Sequence, residues 1–285
     1  MNDKQTWDIE LTSENNIFDL KLKDVWRYRD LLFLLVRRDF VSFYKQTILG
    51  PLWFFIQPLF TTLIYTFVFG NLAAIPTDGL PQPLFYLAGI TAWNYFADCL
   101  TKTSSVFTTN AGLFGKVYFP RLIVPLSIVV SNLIRFGVQM MLFIVMMLIY
   151  DIKGASFHTN AYALLSPLLL LLMALLGLGL GMIISAMTTK YKDLSFLITF
   201  GIQLMMYLTT VIYPLSVVKL KYPHYKWLVE YNPMTAIIEA FRYGFLGQGT
   251  FTMLSLAVTT GITILIFLVG IIIFNRVERN FIDTV

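Results

Sequence analysis

The residues in this chain best suited to chemistry are few, and they are badly spaced for catalysis. Gly112-x-x-Gly115-Lys116-Val117 is the nearest approach to a phosphate-binding loop. Its glycine spacing is wrong and no Ser or Thr follows the lysine, so it offers neither the backbone cradle nor the magnesium-binding hydroxyl that such a loop needs. Glu230 and Glu239 could work as an acid/base pair only across a shared pocket, and they fall in flanking helical segments with none evident. No Ser-His-Asp or HExxH pattern is present. Two histidines, His158 and His224, are too few for a typical zinc site, and one cysteine, Cys99, cannot close an intrachain disulfide. The reading assigns no catalytic residue, no metal and no cofactor to this chain.

A second set of polar groups interrupts long apolar runs. Asn94, Asp98 and Lys102 lie in one run, Arg135 and Gln139 in the next. Asp98 and Lys102 are four residues apart, which predicts a local pair on one helical face. Arg135 needs a partner or water at its depth, so it should face the bundle or a channel. Polar glue between helices and a channel-lining role both account for these groups. Gly177, Gly181 and Ser185 form a small-residue stripe suited to close helix packing.

The elements that must position these groups are set by composition. Hydrophobic residues make up 57% and charged residues 13% of the chain, where a soluble domain carries about a quarter charged. This is a polytopic membrane protein of all-α class. The first 23 residues are polar, without the short apolar core of a cleavable signal, so the N-terminus is expected to be native and cytosolic. The net charge of +5 points to cytoplasmic loops rather than to nucleic acid.

Residues 24–45 predict a helix whose apolar core, 31–36, is far short of the roughly 20 residues of a span. Flanked by Arg27, Arg29, Arg37 and Arg38, it reads as an interfacial anchor that also meets a partner, or as a helix packed on a partner alone. Gly50-Pro51 ends that segment, and a new helix begins at Pro51 and runs into Trp53. Six apolar runs follow, near 52–70, 84–107, 122–150, 162–188, 195–218 and 251–274, each close to spanning length. Six spans put both termini on one side, and fifteen Lys and Arg on that side against five on the other make it the cytoplasm.

The connection 219–250 then lies outside. Pro223–Tyr231 predicts a short aromatic-rich helix. Asn232-Pro233 reads as an N-cap with a first-turn proline. The helix that follows places Met234, Ile237, Ile238, Phe241 and Phe245 on one face and Glu239 with Arg242 on another, ending at Gly247. A hairpin that re-enters the membrane fits so many apolar side chains, and a helical cap over the spans is the alternative. The connection 110–121 is cytosolic and mixes apolar with basic residues, which suits either docking into a cytosolic subunit or a plain interfacial loop. Aromatics reach 16%. Phe85, Tyr86, Trp93, Tyr95, Tyr207, Tyr213, Trp227 and Tyr231 cluster toward the outer half of the predicted spans, as a membrane belt or as stacking surfaces.

Five stretches in order, YKQTILGPLWFFIQPL (44–59), GKVYFPRLIVP (115–125), KYKDL (190–194), NPM (232–234) and ERNFID (278–283), resemble the ABC-2 type permeases that export polysaccharides. The similarity covers the chain from about residue 17 onward, and within that family it looks most like the O-antigen branch, with capsule and teichoic-acid exporters related. The resemblance implies a half-transporter in the bacterial inner membrane: two copies of this chain, two copies of a cytosolic ABC ATPase that holds ATP and Mg, and a lipid-linked polysaccharide as cargo. It implies a polar segment at 1–23, an interface helix at 24–45, a transmembrane domain at 51–275 with a coupling helix at 110–121 and outer gate helices at 223–246, and a tail at 276–285. Carried onto this sequence, Arg37, Arg38, Tyr44, Lys45, Leu113, Phe114, Lys116, Tyr118 and Arg121 become ATPase-contacting candidates. Phe85, Tyr86, Trp93, Tyr95, Asp98, Arg135, Tyr207 and Tyr213 become candidates for lining the channel or touching sugar, and Trp227, Tyr231, Asn232, Pro233, Glu239 and Arg242 for the outer gate. One departure is the outer loop at 219–226, whose three lysines are more basic than the family pattern and suit a solvated face, or else anionic sugars or the pyrophosphate of a lipid carrier.

Two other classes bound the reading. An ion-coupled secondary transporter calls for carboxylates on broken mid-membrane helices, and Asp98 alone is thin support. A membrane-embedded glycan-modifying enzyme calls for a reactive centre, and none is visible. An ABC-2 permease for drugs or small lipids differs only in cargo.

Overall fold

The computed structural model describes residues 22–45, 47–114, 119–191 and 193–281, with the side chains of 22, 23, 43, 44, 190 and 278–281 left aside. Among the described residues the architecture is all-helical, without strands. Four helices are long and apolar enough to cross a membrane, Gly50–Leu72, Ile123–Ile152, Ala161–Thr189 and Met253–Val277.

The N-terminal segment forms α1 (Leu22–Arg27) and α2 (Arg29–Tyr44), broken at Tyr28, where one helix was expected. Helix α2 lies along the start of α7 (Ile123–Ile152) and buries Leu35 there with Phe107, Ile123, Val124 and Phe274. The chain then reverses at Gly50, whose φ of 50° is open to glycine at little cost. A 3₁₀ turn, Gly50–Leu52, with Pro51 in its first turn leads into α3 (Trp53–Tyr65), which continues as a π-helical stretch to Leu72.

Helix α4 (Gln82–Ser104) is the spine of the bundle. It packs against α3, α7, α8 (Ser166–Lys190), α9 (Leu194–Tyr207) and α12 (Pro233–Leu246). Packed against five helices and buried on most of its surface, it can carry Thr, Asn, Asp and Lys that a lipid-facing helix could not. This explains why it is long enough to span yet is not among the four strongly apolar helices. Two short helices, α5 (Val106–Thr109) and α6 (Ala111–Phe114), follow it.

Close packing of α8 comes from glycine on two faces. A Cβ on Gly177 would lie 2.9 Å from Cβ of Cys99, and one on Gly181 2.5 Å from Cβ of Thr103, so the small-residue stripe seats α4. On the opposite face, Gly179 and Gly270 bring α8 against the last helix, α13 (Met253–Phe281).

The fifth apolar run departs from expectation. It is one helix, α9, of 14 residues, then an irregular stretch at 208–214, then α10 (Leu215–Lys221). The expected aromatic helix is confined to α11 (Lys226–Glu230). Helix α12 starts as its sequence dictates: Oδ1 of Asn232 accepts a hydrogen bond from Met234 N–H at 3.0 Å, with Pro233 at the first position. It stops at Gly247, whose φ of 72° is left-handed. Rather than covering the bundle from outside, α12 is buried in it on most of its surface, with Met234, Ile237, Ile238 and Phe241 all in the main core.

Candidate functional site

Three polar pairs join α4 to the antiparallel α7. Asn94 Nδ2 donates to Gln139 Oε1 at 3.4 Å. Arg135 Nη1 meets Asp98 Oδ2 at 2.6 Å. Lys102 Nζ donates to Asn132 Oδ1 at 2.8 Å, while Asn132 Nδ2 points to Cys99 Sγ at 3.6 Å. The expected Asp98–Lys102 pair therefore gives way to two bonds across the helix seam. The antiparallel neighbour presents a cation opposite Asp98 and an amide opposite Lys102. Arg135 also stands 4.9 Å from the Phe54 ring of α3. Sequence reasoning missed Asn132. Its signal was available, because 132, 135 and 139 fall at i, i+3 and i+7, on one helical face, as 94, 98 and 102 do.

A second cluster holds the connection between α9 and α13. Arg242, on α12, is buried to 1% and Glu239 to 3% of their side-chain surfaces. The Arg242 guanidinium donates to the carbonyl of Thr210, to that of Val211 at 2.9 Å and to that of Phe85 at 3.2 Å, and lies 3.5 Å from the Phe85 ring. Thr210 and Val211 belong to the irregular stretch after α9, whose carbonyls lack helical partners. Glu239 sits 3.7 Å from Arg242 and accepts hydrogen bonds from Thr250 N–H at 2.8 Å and its hydroxyl at 3.3 Å. The expected polar face of α12 is thus an interior lock. Of the outer-gate candidates, Asn232 and Pro233 build the helix start, Glu239 and Arg242 form the lock, and Trp227 and Tyr231 are exposed. Glu230 does not join Glu239: it pairs with Lys219 at 3.0 Å.

The aromatic candidates for lining a channel divide between core and surface. Phe85, Tyr86, Trp93 and Tyr95 are core residues around α4. Tyr207 is exposed, and Tyr213 is half-buried with its hydroxyl on the Tyr207 carbonyl at 2.7 Å.

The partner-facing candidates divide in the same way. Arg37, Arg38 and Lys45 are exposed, with Arg38 on Asp39 at 2.8 Å. Leu113 is half-buried. Phe114 and Arg121 are buried, the guanidinium 5.3 Å from the Phe114 ring, which also packs on Phe107 and Phe119. Both are buried residues of this chain, in place of the outward contacts expected, because Phe114 shares a core with Phe107, Phe119, Ile123 and Phe274, and Arg121 lies against its ring. Lys116 and Tyr118 lie outside the described residues, and so does most of the glycine–lysine motif; of Tyr44 only the backbone is described. Among the described residues no group of His, Cys, Asp and Glu could hold a metal ion.

A helical bundle with several membrane-crossing helices, a paired polar seam inside it and no reactive constellation among the described residues defines an integral membrane protein. The chain belongs to the ABC-2 type transporter family, whose sequence model matches residues 30–246. It is 27% identical over 253 residues to an O-antigen export system permease protein RfbA of Klebsiella pneumoniae, covering 88% of this chain and 93% of that protein. The protein of the same name from Myxococcus xanthus is 27% identical over 222 residues, 78% of this chain and 82% of the relative. The inner membrane transport permease YadH of Escherichia coli K12 is 23% identical over 233 residues, 79% and 87% of the two chains.

Proposed function

We propose that this chain is the transmembrane subunit of an ATP-driven exporter that passes a lipid-linked polysaccharide of O-antigen type from the cytoplasm to the outer face of a bacterial inner membrane. The observation that carries this reading is the near end-to-end similarity to permeases named for O-antigen export. Two copies of the chain form a continuous channel, since a long polymer cannot be occluded in turns as a small solute can. Two copies of a separate ABC ATPase bind ATP and Mg and drive it.

In this reading α4 and the interrupted α9–α10 segment complete six crossings, both termini are cytoplasmic, α1–α2 is the interface helix, and 110–121 is the coupling segment. Helices α11 and α12 form the re-entrant outer hairpin. The burial of α12 on α4, α8 and α13 supports an element within the membrane domain rather than a solvated cap. ATP binding closes the ATPases and pulls on the interface and coupling segments, and the spans and hairpin part. Exposed Arg37, Arg38 and Lys45 support the first of these contacts. Deleting the ATPase while retaining this chain is expected to abolish appearance of the glycan at the outer face, and export continuing without it would reject the coupling. The likeness to YadH, whose name specifies no glycan, keeps a permease for small lipids or drugs as the second reading. It is favoured if membranes lacking this chain export the glycan normally.

A further inference from the structure

The polar seam between α4 and α7 is more than a fastening. Its α4 members sit at 94, 98 and 102, on one helical face, and its α7 members at 139, 135 and 132 run opposite them. Eight residues of helix rise about 12 Å, so the row climbs from Lys102 at the end of α4 through nearly half of a hydrocarbon core about 30 Å thick. A fastening between two helices in lipid is cheapest when its charges are closed off by protein. This one is open along one side. Lys102 is exposed, Asn94 is half-buried, and Asp98 and Arg135 keep 33% and 20% of their side-chain surface uncovered. Phe54 of α3 stands beside Arg135 and bounds the opening on one flank. A half-uncovered ion pair is stable at this depth only against water or a polar solute. The rungs also mix donors and acceptors, and their neutral amides can exchange partners as hydroxyl groups do.

We propose that this seam is the wet wall of the inner half of the export path, along which the hydroxyl groups of the passing glycan exchange hydrogen bonds with Asn94, Asp98 and Arg135. The proposal rests on the permease reading above and adds where the polymer first travels. Because Cys99 is fully buried, the natural chain serves as a blank for thiol labelling. Asn94→Cys and, separately, Asp98→Cys are placed in the complete transporter in membrane vesicles and treated with a charged, membrane-impermeant methanethiosulfonate from the side carrying Lys102. The treatment is run with and without ATP and with and without the lipid-linked glycan. Met141→Cys, on the opposite face of α7 and 60% exposed, reports lipid.

Asn94→Cys is expected to react at least about tenfold faster than Met141→Cys in one or both nucleotide conditions, and to be slowed when glycan is present. Asn94 carries no charge, so this variant tests the idea even where Asp98→Cys takes the carboxylate away from Arg135 and the protein fails to assemble. No reaction at Asn94→Cys in either condition overturns the proposal, showing a closed seam or a lipid-facing one. Reaction that glycan does not slow overturns the path assignment. Reaction together with the absence of any glycan export would leave the wet seam standing and reject the polysaccharide reading, so the two failures are told apart.

Discussion

At the scale of single residues, Arg242 organises more backbone than any other side chain described. Its guanidinium donates to carbonyls of the irregular 208–214 stretch and of α4, and it lies over the Phe85 ring. Gly89 must be glycine for the same reason, since a Cβ there would stand 2.7 Å from Nη2 of Arg242. Removing the cation strands Glu239 in the interior and uncaps the carbonyls together. Arg242→Met is expected to cost about 3–5 kcal/mol, read as a lowered unfolding temperature of the detergent-purified protein. The double variant with Glu239→Gln should recover part of that loss because the orphaned charge is gone. A melting temperature equal to the parent's in the single variant would show that the lock does not hold the outer connection.

At the scale of elements, helix spacing is set by where side chains are missing. Gly177 and Gly181 let α4 sink onto α8, while Gly179 and Gly270 do the same for α13 on the opposite face, so α8 is held on two sides at backbone distance. Gly181→Val would drive its branches into Thr103 and the Leu100 carbonyl. Overpacking of this kind costs about 1–3 kcal/mol, and the fraction of monodisperse protein in detergent should fall accordingly. Gly137→Ala, on α7, meets nothing within 4 Å, and the same measurement should leave it unchanged. Since Ala favours helix over Gly, equal losses in the two variants would mean that interhelical distance at Gly181 does not decide the outcome.

At the scale of the whole molecule, the basic residues and the fold must agree on a single sidedness. The exposed lysines Lys45, after α2, and Lys226, at the start of α11, stand at opposite ends of the proposed topology. With Cys99 buried as the chain's only cysteine, Lys45→Cys and Lys226→Cys can be probed in intact cells with an impermeant thiol reagent. Labelling of Lys226→Cys and protection of Lys45→Cys is the expected result. The reverse pattern would invert the proposed sides, and with them the docking surface and the direction of transport.

Much of the molecule was legible as one-dimensional pattern. Mean composition announced a membrane protein, Gly50-Pro51 announced the turn into α3, and Asn232-Pro233 with Gly247 announced both ends of α12, because caps and breakers act on the backbone within a few residues. The five ordered motifs carried the family, as the match over 30–246 bears out. What the chain alone left open was pairing. Asp98 and Lys102 looked like partners because only neighbours along one helix are visible in sequence, whereas α7 laid alongside α4 supplies Arg135 and Asn132 instead. Phe114 and Arg121 read as surface because a short basic-aromatic loop usually is, and only the core that Phe114 shares with Phe107, Phe119 and Phe274 turns them inward. Glu239 and Arg242 read only as a second face of α12, and their mutual burial appeared once α4, α8 and α13 packed around that helix. Local conformation follows from neighbours in the chain, but which side of an element is inside depends on what packs against it, and that is decided only when the helices assemble.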